Sequence, residues 1–348
     1  MTVALLGYGR FARALAGLLD AAGVSYRAFD PGVDVPPAVR ANDLGALTSG
    51  ADVVIVAVPV PLLGGALDAL RPHLAPSQLV MDVGSVKLGP AAELTRALGA
   101  EVPWVATHPL FGPTSLARAE RPLRVVVCPG ALHPAATNRA RDFWERLGCE
   151  VGEQSPEEHD RSMATTHVLA FFVAKALLDV GAGEHVAFSP PSFQAIARTL
   201  DAVRGDAGHL FAAIQRENPF AAETRRRLLD ALVEIDASIA SADGAVPAPI
   251  AIPDLGGRSP ELKKTRDHID ELDRELVILL ARRAELARRA ARAKAELGAG
   301  IVDEARERAV FAERRGWAER SGLDPDAVEA IFAAVIRFSR AVQGSPAD

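Results

Sequence analysis

The sequence predicts an α/β domain built on a parallel sheet covered by helices, then an all-α segment, then a C-terminal all-α module of three helices. Three observations carry this reading. Over roughly the first 150 residues, short β-branched apolar runs alternate with stretches of helical length, the pattern of βαβ units. From Ser155 to about Ala240 nearly everything has helical period. Residues 242–258, ADGAVPAPIAIPDLGGR, then supply three prolines and three glycines, a linker composition, before helical periodicity resumes. The expected division is therefore residues 1–152, residues 153–241, a linker at 242–258, and residues 259–348.

The runs Val3–Leu6, Tyr26–Phe29, Val53–Val58, Leu79–Val83, Trp104–Thr107 and Val125–Cys128 are nearly free of polar residues. Strands buried on both faces read this way, whereas a half-exposed strand alternates. Phe11–Ala22 and Leu62–Leu70 have the length of crossover helices. Ser155-Pro156-Glu157-Glu158 starts the second segment, with Ser as N-cap, Pro at the first helical position and Glu at the third. Breaks are expected at Gly181–Gly183 and Ser189–Ser192. Ser259-Pro260-Glu261 opens a helix to about Leu297, followed by helices from Val302 to about Ser321 and from Asp324 to about Gln343.

Composition narrows the function classes. The 348 residues carry 39 Lys+Arg against 45 Asp+Glu, so the net charge of −6 shows no basic excess of the kind nucleic-acid binders use. Cys128 and Cys149 are too few for a disulfide framework or a Cys-rich zinc site, and they favour a reducing compartment. No uninterrupted apolar run reaches the roughly 18–20 residues of a membrane span. The longest, from Val53 to Leu70, is broken by Pro59, Pro61, two glycines and Asp68. No signal peptide is read ahead of Val3. A soluble cytoplasmic enzyme acting on small molecules is expected, with neither nucleic acid nor membrane as partner.

Gly7-Tyr8-Gly9-Arg10-Phe11-Ala12 follows the first strand and opens a helix. Gly7 permits a tight turn, Gly9 lets the backbone approach a pyrophosphate, and Ala12 takes the place where helix packs on strand. Backbone N–H groups at the helix start then meet the phosphates. Asp30 ends the second strand, about 20 residues on, where an acid hydrogen-bonds a ribose diol. A Rossmann-like dinucleotide site follows. The carboxylate would repel a 2′-phosphate, so NAD is the expected cofactor, with Arg27 keeping NADP open.

Two further motifs fall at predicted strand ends, Asp82-Val83-Gly84-Ser85-Val86-Lys87 and Thr107-His108-Pro109-Leu110-Phe111-Gly112-Pro113. A histidine at the C-terminal end of a parallel strand faces the ligand crevice and can take a hydroxyl proton while hydride leaves the same carbon. Together with Glu158-His159-Asp160, these motifs make residues 1 to about 240 resemble the prephenate/arogenate dehydrogenase family. The resemblance implies that His108 is the base or polariser of the substrate hydroxyl and that Ser85 orients both. It also implies a pocket histidine, carried onto His167 although its spacing fits poorly. Where many relatives have an aromatic-Arg pair, this chain has Phe193-Gln194, an uncharged amide in place of the cation that holds the ring carboxylate. Arg198 and Arg204 are substitutes. His159-Asp160 also reads as a metal-binding pair, but further ligands cannot be assembled, so no metal is expected.

In the C-terminal module, Ile269, Leu272, Leu276, Leu279, Leu280 and Leu286 form an apolar stripe that Arg283 interrupts. Lys294 lies three turns on and within about 20° of Arg283. Cations facing the inside of a small bundle are costly unless an anion meets them. Arg266 is about 100° round the helix, toward another surface. Asp303, Arg306 and Glu307 share a face of the second helix, and Ser339 and Gln343 one of the third. A solvated basic helix accounts for Arg288, Arg289 and Arg292 but not for Arg283. Residues 259–343 resemble the all-helical chorismate mutase family. The resemblance implies that Arg266, reaching in from a partner chain, Arg283 and Arg306 bind carboxylates. Lys294 and Gln343 would flank the ether oxygen. Asp303, Glu307 and Ser339 would serve the ring hydroxyl and one carboxylate. It further implies a homodimer. The two resemblances imply one bifunctional enzyme of tyrosine biosynthesis, converting chorismate to prephenate and then oxidising prephenate, or arogenate, with NAD.

Overall fold

The computed structural model describes residues 1–182, 190–205, 209–240, 261–296 and 304–344. The predicted linker at 242–258 lies outside the described residues, as do Gly183 of the first predicted break and Ser189 of the second. In order the chain runs β1 (Thr2–Leu6), α1 (Arg10–Ala21), β2 (Ser25–Phe29), α2 (Leu44–Thr48), β3 (Val53–Val56), α3 (Leu63–Leu70) and β4 (Leu79–Asp82). It continues with α4 (Leu88–Leu98), β5 (Trp104–Pro109), α5 (Pro113–Ala117), β6 (Leu123–Cys128), α6 (Pro134–Arg146) and β7 (Cys149–Glu153). Helices follow: α7 (Pro156–Met163), a π-helical turn (Ala164–Val168), α8 (Leu169–Asp179), α9 (Pro191–Gly205), α10 (His209–Glu217) and α11 (Ala221–Ala240). The last three are α12 (Glu261–Glu296), α13 (Glu304–Arg320) and α14 (Pro325–Gly344). The chain divides into two compact units, Met1–Leu116 with Pro122–Ile250, and Ala117–Arg121 with Ala251–Asp348.

The first unit holds a seven-stranded sheet in the order β2-β1-β3-β4-β5-β6-β7. Its strands feed two cores. Val3, Leu5, Ile55, Met81, Val105 and Val127 pack with Leu15, Leu19, Phe143 and Trp144 on one face. Ala4, Leu6, Val54, Val56, Val80 and Ala106 pack with Leu67, Leu70, Leu94 and Leu98 on the other. Alternate residues enter opposite cores, and both cores are apolar, hence the unbroken runs.

Two details depart from the expected sheet. β6 pairs with β5 antiparallel, whereas every other pairing is parallel. Only the five-residue α5 lies between these strands, too little helix for a parallel crossover. β7, which was not anticipated, is an edge strand of sequence CEVGE with a mostly polar, exposed pattern, so it leaves no apolar run to read.

α7 begins as the sequence predicts, with the full capping box: Ser155 accepts from Glu158 N–H, and the Glu158 side chain accepts from Ser155 N–H at 2.8 Å. The stretch Pro156–Asp179 is long enough, and over an 18-residue window (mean hydropathy 1.2) apolar enough, to cross a membrane by length and composition alone. It is not an uninterrupted apolar run, because Glu157, Glu158, Asp160 and Arg161 lie in α7 and Lys175 and Asp179 in α8.

Candidate active site

The glycine turn is built as the motif requires. Gly7 has φ +94, and a Cβ there would stand 2.6 Å from the Ala57 carbonyl oxygen, so no other residue fits. At Gly9, the N-cap of α1, a Cβ would meet nothing within 4 Å, which leaves open space beside the helix start. No side chain caps α1. Ala12 is buried against the sheet, Arg10 is exposed, and the Phe11 ring lies 6.2 Å from that of Phe111. Asp30 does more than the sequence suggests. Its Oδ2 accepts the Tyr8 N–H at 2.7 Å, and its Oδ1 accepts the N–H groups of Gly32 and Val33 at 2.8 and 2.9 Å. The carboxylate thus ties the glycine turn to the end of β2, beside a cleft of about 280 Å³ lined by Asp30, Val33 and Arg40. Arg27 donates to the Ala46 carbonyl at 3.1 Å.

His108 lies near the end of β5, 3% exposed. Its Nδ1 is 2.8 Å from His159 Nε2, and His159 Nδ1 is 2.8 Å from Asp160 Oδ1. Asp160 also accepts the backbone N–H groups of Lys87 at 2.7 Å and Leu88 at 2.9 Å, so α7 is pinned to the start of α4. Asn218 holds the Asp160 carbonyl at 2.8 Å. Lys87, wholly buried, bonds the Asp82 carboxylate and the Thr107 carbonyl, tying the ends of β4 and β5 together. Burial pushes the His108 imidazole well below its ordinary pKa, and the nearby Lys87 ammonium pushes it the same way. Ser85 is half-buried in the loop after β4, and no hydrogen-bond partner for its hydroxyl occurs among the described residues.

His167 reaches the site through the π-helical turn. Eight residues after His159 it would sit about 80° round a regular helix. The wider turn absorbs a residue, and the His167 ring lies nearly parallel to that of His108, centroids 6.5 Å apart. Burial, then His159, lowers its pKa too. The spacing that fitted poorly is the signature of this turn. Phe193 packs on α8 and α9, and Arg204 lies 3.9 Å from Asp201. Asp303 lies outside the described residues, as do the side chains of Gln194, Arg198, Arg266 and Gln343.

The second unit has its own cavity, about 460 Å³, lined among others by Arg283, Lys294, Arg306, Glu307, Ser339, Arg314 and Arg340. Five of the residues singled out in the sequence therefore meet around one space. Arg283 donates to Ser339 Oγ and, at 3.3 Å, to the Val335 carbonyl. Its pKa is lowered by burial and then by Arg314. Two cations were missed. Arg340 grips Glu307 through both carboxylate oxygens, and Arg314 stands 4.2 Å from the Trp317 ring centre with its Nε buried and without a partner among the described residues. Both lie on faces that look like ordinary charged helix surface until α13 and α14 are packed together. His159, Asp160 and Lys87 likewise lie within motifs whose sequence alone does not show that they surround His108.

Residues 38–153 match the family model of the prephenate dehydrogenase nucleotide-binding domain, and residues 265–344 that of chorismate mutase type II. The 4-amino-4-deoxyprephenate dehydrogenase of Streptomyces pristinaespiralis is 30% identical over 205 residues, 57% of this chain and 67% of that protein. The isochorismate pyruvate lyase of Pseudomonas aeruginosa is 39% identical over 82 residues, 24% of this chain and 80% of that protein. The fold of a prephenate dehydrogenase from A. aeolicus matches with a TM-score of 0.54 at 19% identity, covering 79% of this chain and 98% of that one. Four dehydrogenase relatives are spanned for 45% to 73% of their own length. Fold and site define a dinucleotide-binding oxidoreductase unit joined to an all-helical unit. The chain belongs to the prephenate dehydrogenase family and carries a type II chorismate mutase domain.

Proposed function

We propose that the chain is a bifunctional enzyme of tyrosine formation, rearranging chorismate to prephenate and oxidatively decarboxylating prephenate to 4-hydroxyphenylpyruvate. The observation that carries the dehydrogenase reading is a buried histidine, backed by His159 and Asp160, in the same unit as a glycine turn that only glycine can make.

Gly7, Tyr8, Gly9, Arg10, Phe11 and Ala12 would hold the pyrophosphate of NAD, and Asp30 its ribose, for which the open space beside Gly9 and the cleft at Asp30 are suited. NAD, when bound, supplies the hydride acceptor. His108 accepts the hydrogen bond of the substrate 4-hydroxyl and takes its proton as the C4 hydride departs. Ser85 orients that hydroxyl, and His167 and Gln194 face the rest of the substrate. The ketone formed at C4 draws electrons from the C1–carboxylate bond, carbon dioxide leaves, and an aromatic ring results. Burial of the site keeps His108 unprotonated at neutral pH, as a base must be.

In the second unit Arg283, Arg306 and Arg266 of the partner subunit take the carboxylates, while Lys294 and Gln343 meet the ether oxygen where negative charge grows. Asp303, Glu307 and Ser339 serve the hydroxyl and one carboxylate. A pericyclic rearrangement needs no nucleophile, only a compact conformer and aimed donors. The homodimer this requires is supported by exposed apolar positions at Leu229, Leu232, Val233, Ile235 and Ile239 on α11 and Ile269, Leu272, Leu276 and Leu279 on α12. The remaining partners are small molecules of a cytoplasmic pathway, with no nucleic acid and no membrane.

Arogenate is the second reading for the dehydrogenase, favoured by a relative named for both substrates. For the helical unit, the similarity to an isochorismate pyruvate lyase makes isochorismate the second reading. Purified protein is assayed for NADH with prephenate and with arogenate, and for loss of chorismate and of isochorismate. NADH from prephenate and prephenate from chorismate are expected. Silence of both NAD assays would sink the dehydrogenase reading.

The turn gives a sharper check. Gly7→Ala places a methyl against a backbone carbonyl at positive φ, a strain of about 1–3 kcal/mol. NAD affinity, by calorimetry, is expected to fall about tenfold or more. Chorismate turnover should be retained.

A further inference from the structure

We propose that His159 and Asp160 are positioning residues for the dehydrogenase, fixing His108 in the tautomer that leaves its Nε2 lone pair for the substrate hydroxyl. The proposal rests on His108 being the base.

The argument follows hydrogen-bond polarity along one chain of atoms. A carboxylate has only acceptors, and Asp160 receives Lys87 N–H and His159 Nδ1 on Oδ1 and Leu88 N–H on Oδ2. The His159 Nδ1 therefore carries a proton. A neutral imidazole has one N–H, so His159 Nε2 is a lone pair, and it faces His108 Nδ1 at 2.8 Å. Two lone pairs do not bond, so His108 Nδ1 carries the proton and His108 Nε2 is the acceptor.

In its neutral form His159 donates at Nδ1 and accepts at Nε2. It is wholly buried in a cluster that already holds the Lys87 ammonium, and the Asp160 charge is met by two backbone N–H groups at the start of α4. The titratable and charged groups facing His108 are His159 and Asp160 from α7, His167 from the π-turn, and Lys87 with Asp82 from the β4–α4 segment. Among these only His159 touches the ring nitrogen of His108.

When His108 Nε2 takes the hydroxyl proton, the new positive charge is shared along Nδ1–H to His159 and through it to Asp160. No further reactant is needed, and the proton stays on Nε2 until product leaves. The same chain holds the ring in place, because Asp160 is anchored by three N–H groups and by Asn218.

A purely structural role would make the His159–Asp160 pair a strut between α7 and α4, with no bearing on the tautomer. Nitrogen-15 NMR of histidine-labelled protein separates the two without any variant of the pair, using His108→Asn to assign the signal. A protonated Nδ1 and bare Nε2 on His108 at neutral pH is expected, and a protonated Nε2 overturns the proposal. His159→Phe fills the space without a hydrogen bond. It is expected to lower kcat for NAD reduction about 100-fold, with both KM values changed far less. His159→Gln, whose amide oxygen can accept the His108 N–H, should recover part of that loss. Chorismate turnover in the same preparations reports folding of the other unit, and near-ultraviolet circular dichroism reports the first. Unchanged kcat in folded His159→Phe, with His108→Ala inactive, refutes this proposal and spares the base. Full activity in His108→Ala refutes the base itself.

Discussion

Replacing Arg283 by alanine is expected to slow chorismate rearrangement by about 100- to 3,000-fold while NAD reduction with supplied prephenate stays within about twofold. Arg283 interrupts the apolar stripe of α12 and lines the cavity together with Lys294, Arg306 and Arg314. Burial and then Arg314 lower its pKa, yet a guanidinium stays charged at any working pH. Truncation leaves a substrate carboxylate desolvated and unpaired, a loss of about 3–5 kcal/mol for a buried charge pair, with each 1.4 kcal/mol a factor of about ten. The assay follows chorismate absorbance, then NADH formation from prephenate in the same sample. Equal chorismate rates in variant and parent would make the helical unit a silent module.

What was legible in the sequence was whatever one element carries by itself. The glycine turn needs only β1, α1 and the end of β2, and Gly7 and Asp30 occupy them as read. The spacing of Arg283 and Lys294 needs only one helix, and both line the cavity. Contacts set by packing were harder to read. His159 looks like a polar residue in a first helical turn, and its role depends on β5 arriving at that turn with His108. His167 needs a π-turn, for which Ala164-Thr165-Thr166 offers no distinctive residue. The antiparallel β6 depends on the connection before it, since Leu123–Cys128 would be as apolar in either direction. Arg340 reads as surface charge until Glu307 on α13 comes opposite.

His108→Ala is expected to lower NAD-dependent turnover of prephenate by about 10²- to 10⁴-fold, the range of a positioned general base. The pH dependence of the parent enzyme gives the second half of the test. A base works unprotonated, and burial, with the nearby Lys87 ammonium, holds His108 below the ordinary histidine pKa. Its contribution is therefore complete at neutral pH, persists as pH falls through about 6.5, and is lost only where the lowered pKa is crossed. An unperturbed histidine would begin to fail about there. In kcat/KM against pH, the acid limb should lie below that value in the parent and vanish from the residual rate of His108→Ala. Chorismate turnover in the variant should match the parent, because none of the residues lining the second unit's cavity belongs to the His108 network. A comparable loss in both activities would mean that the two sites do not act independently. A parent acid limb at or above the ordinary histidine value would mean that His108 is solvated in the working enzyme and that another group takes the proton.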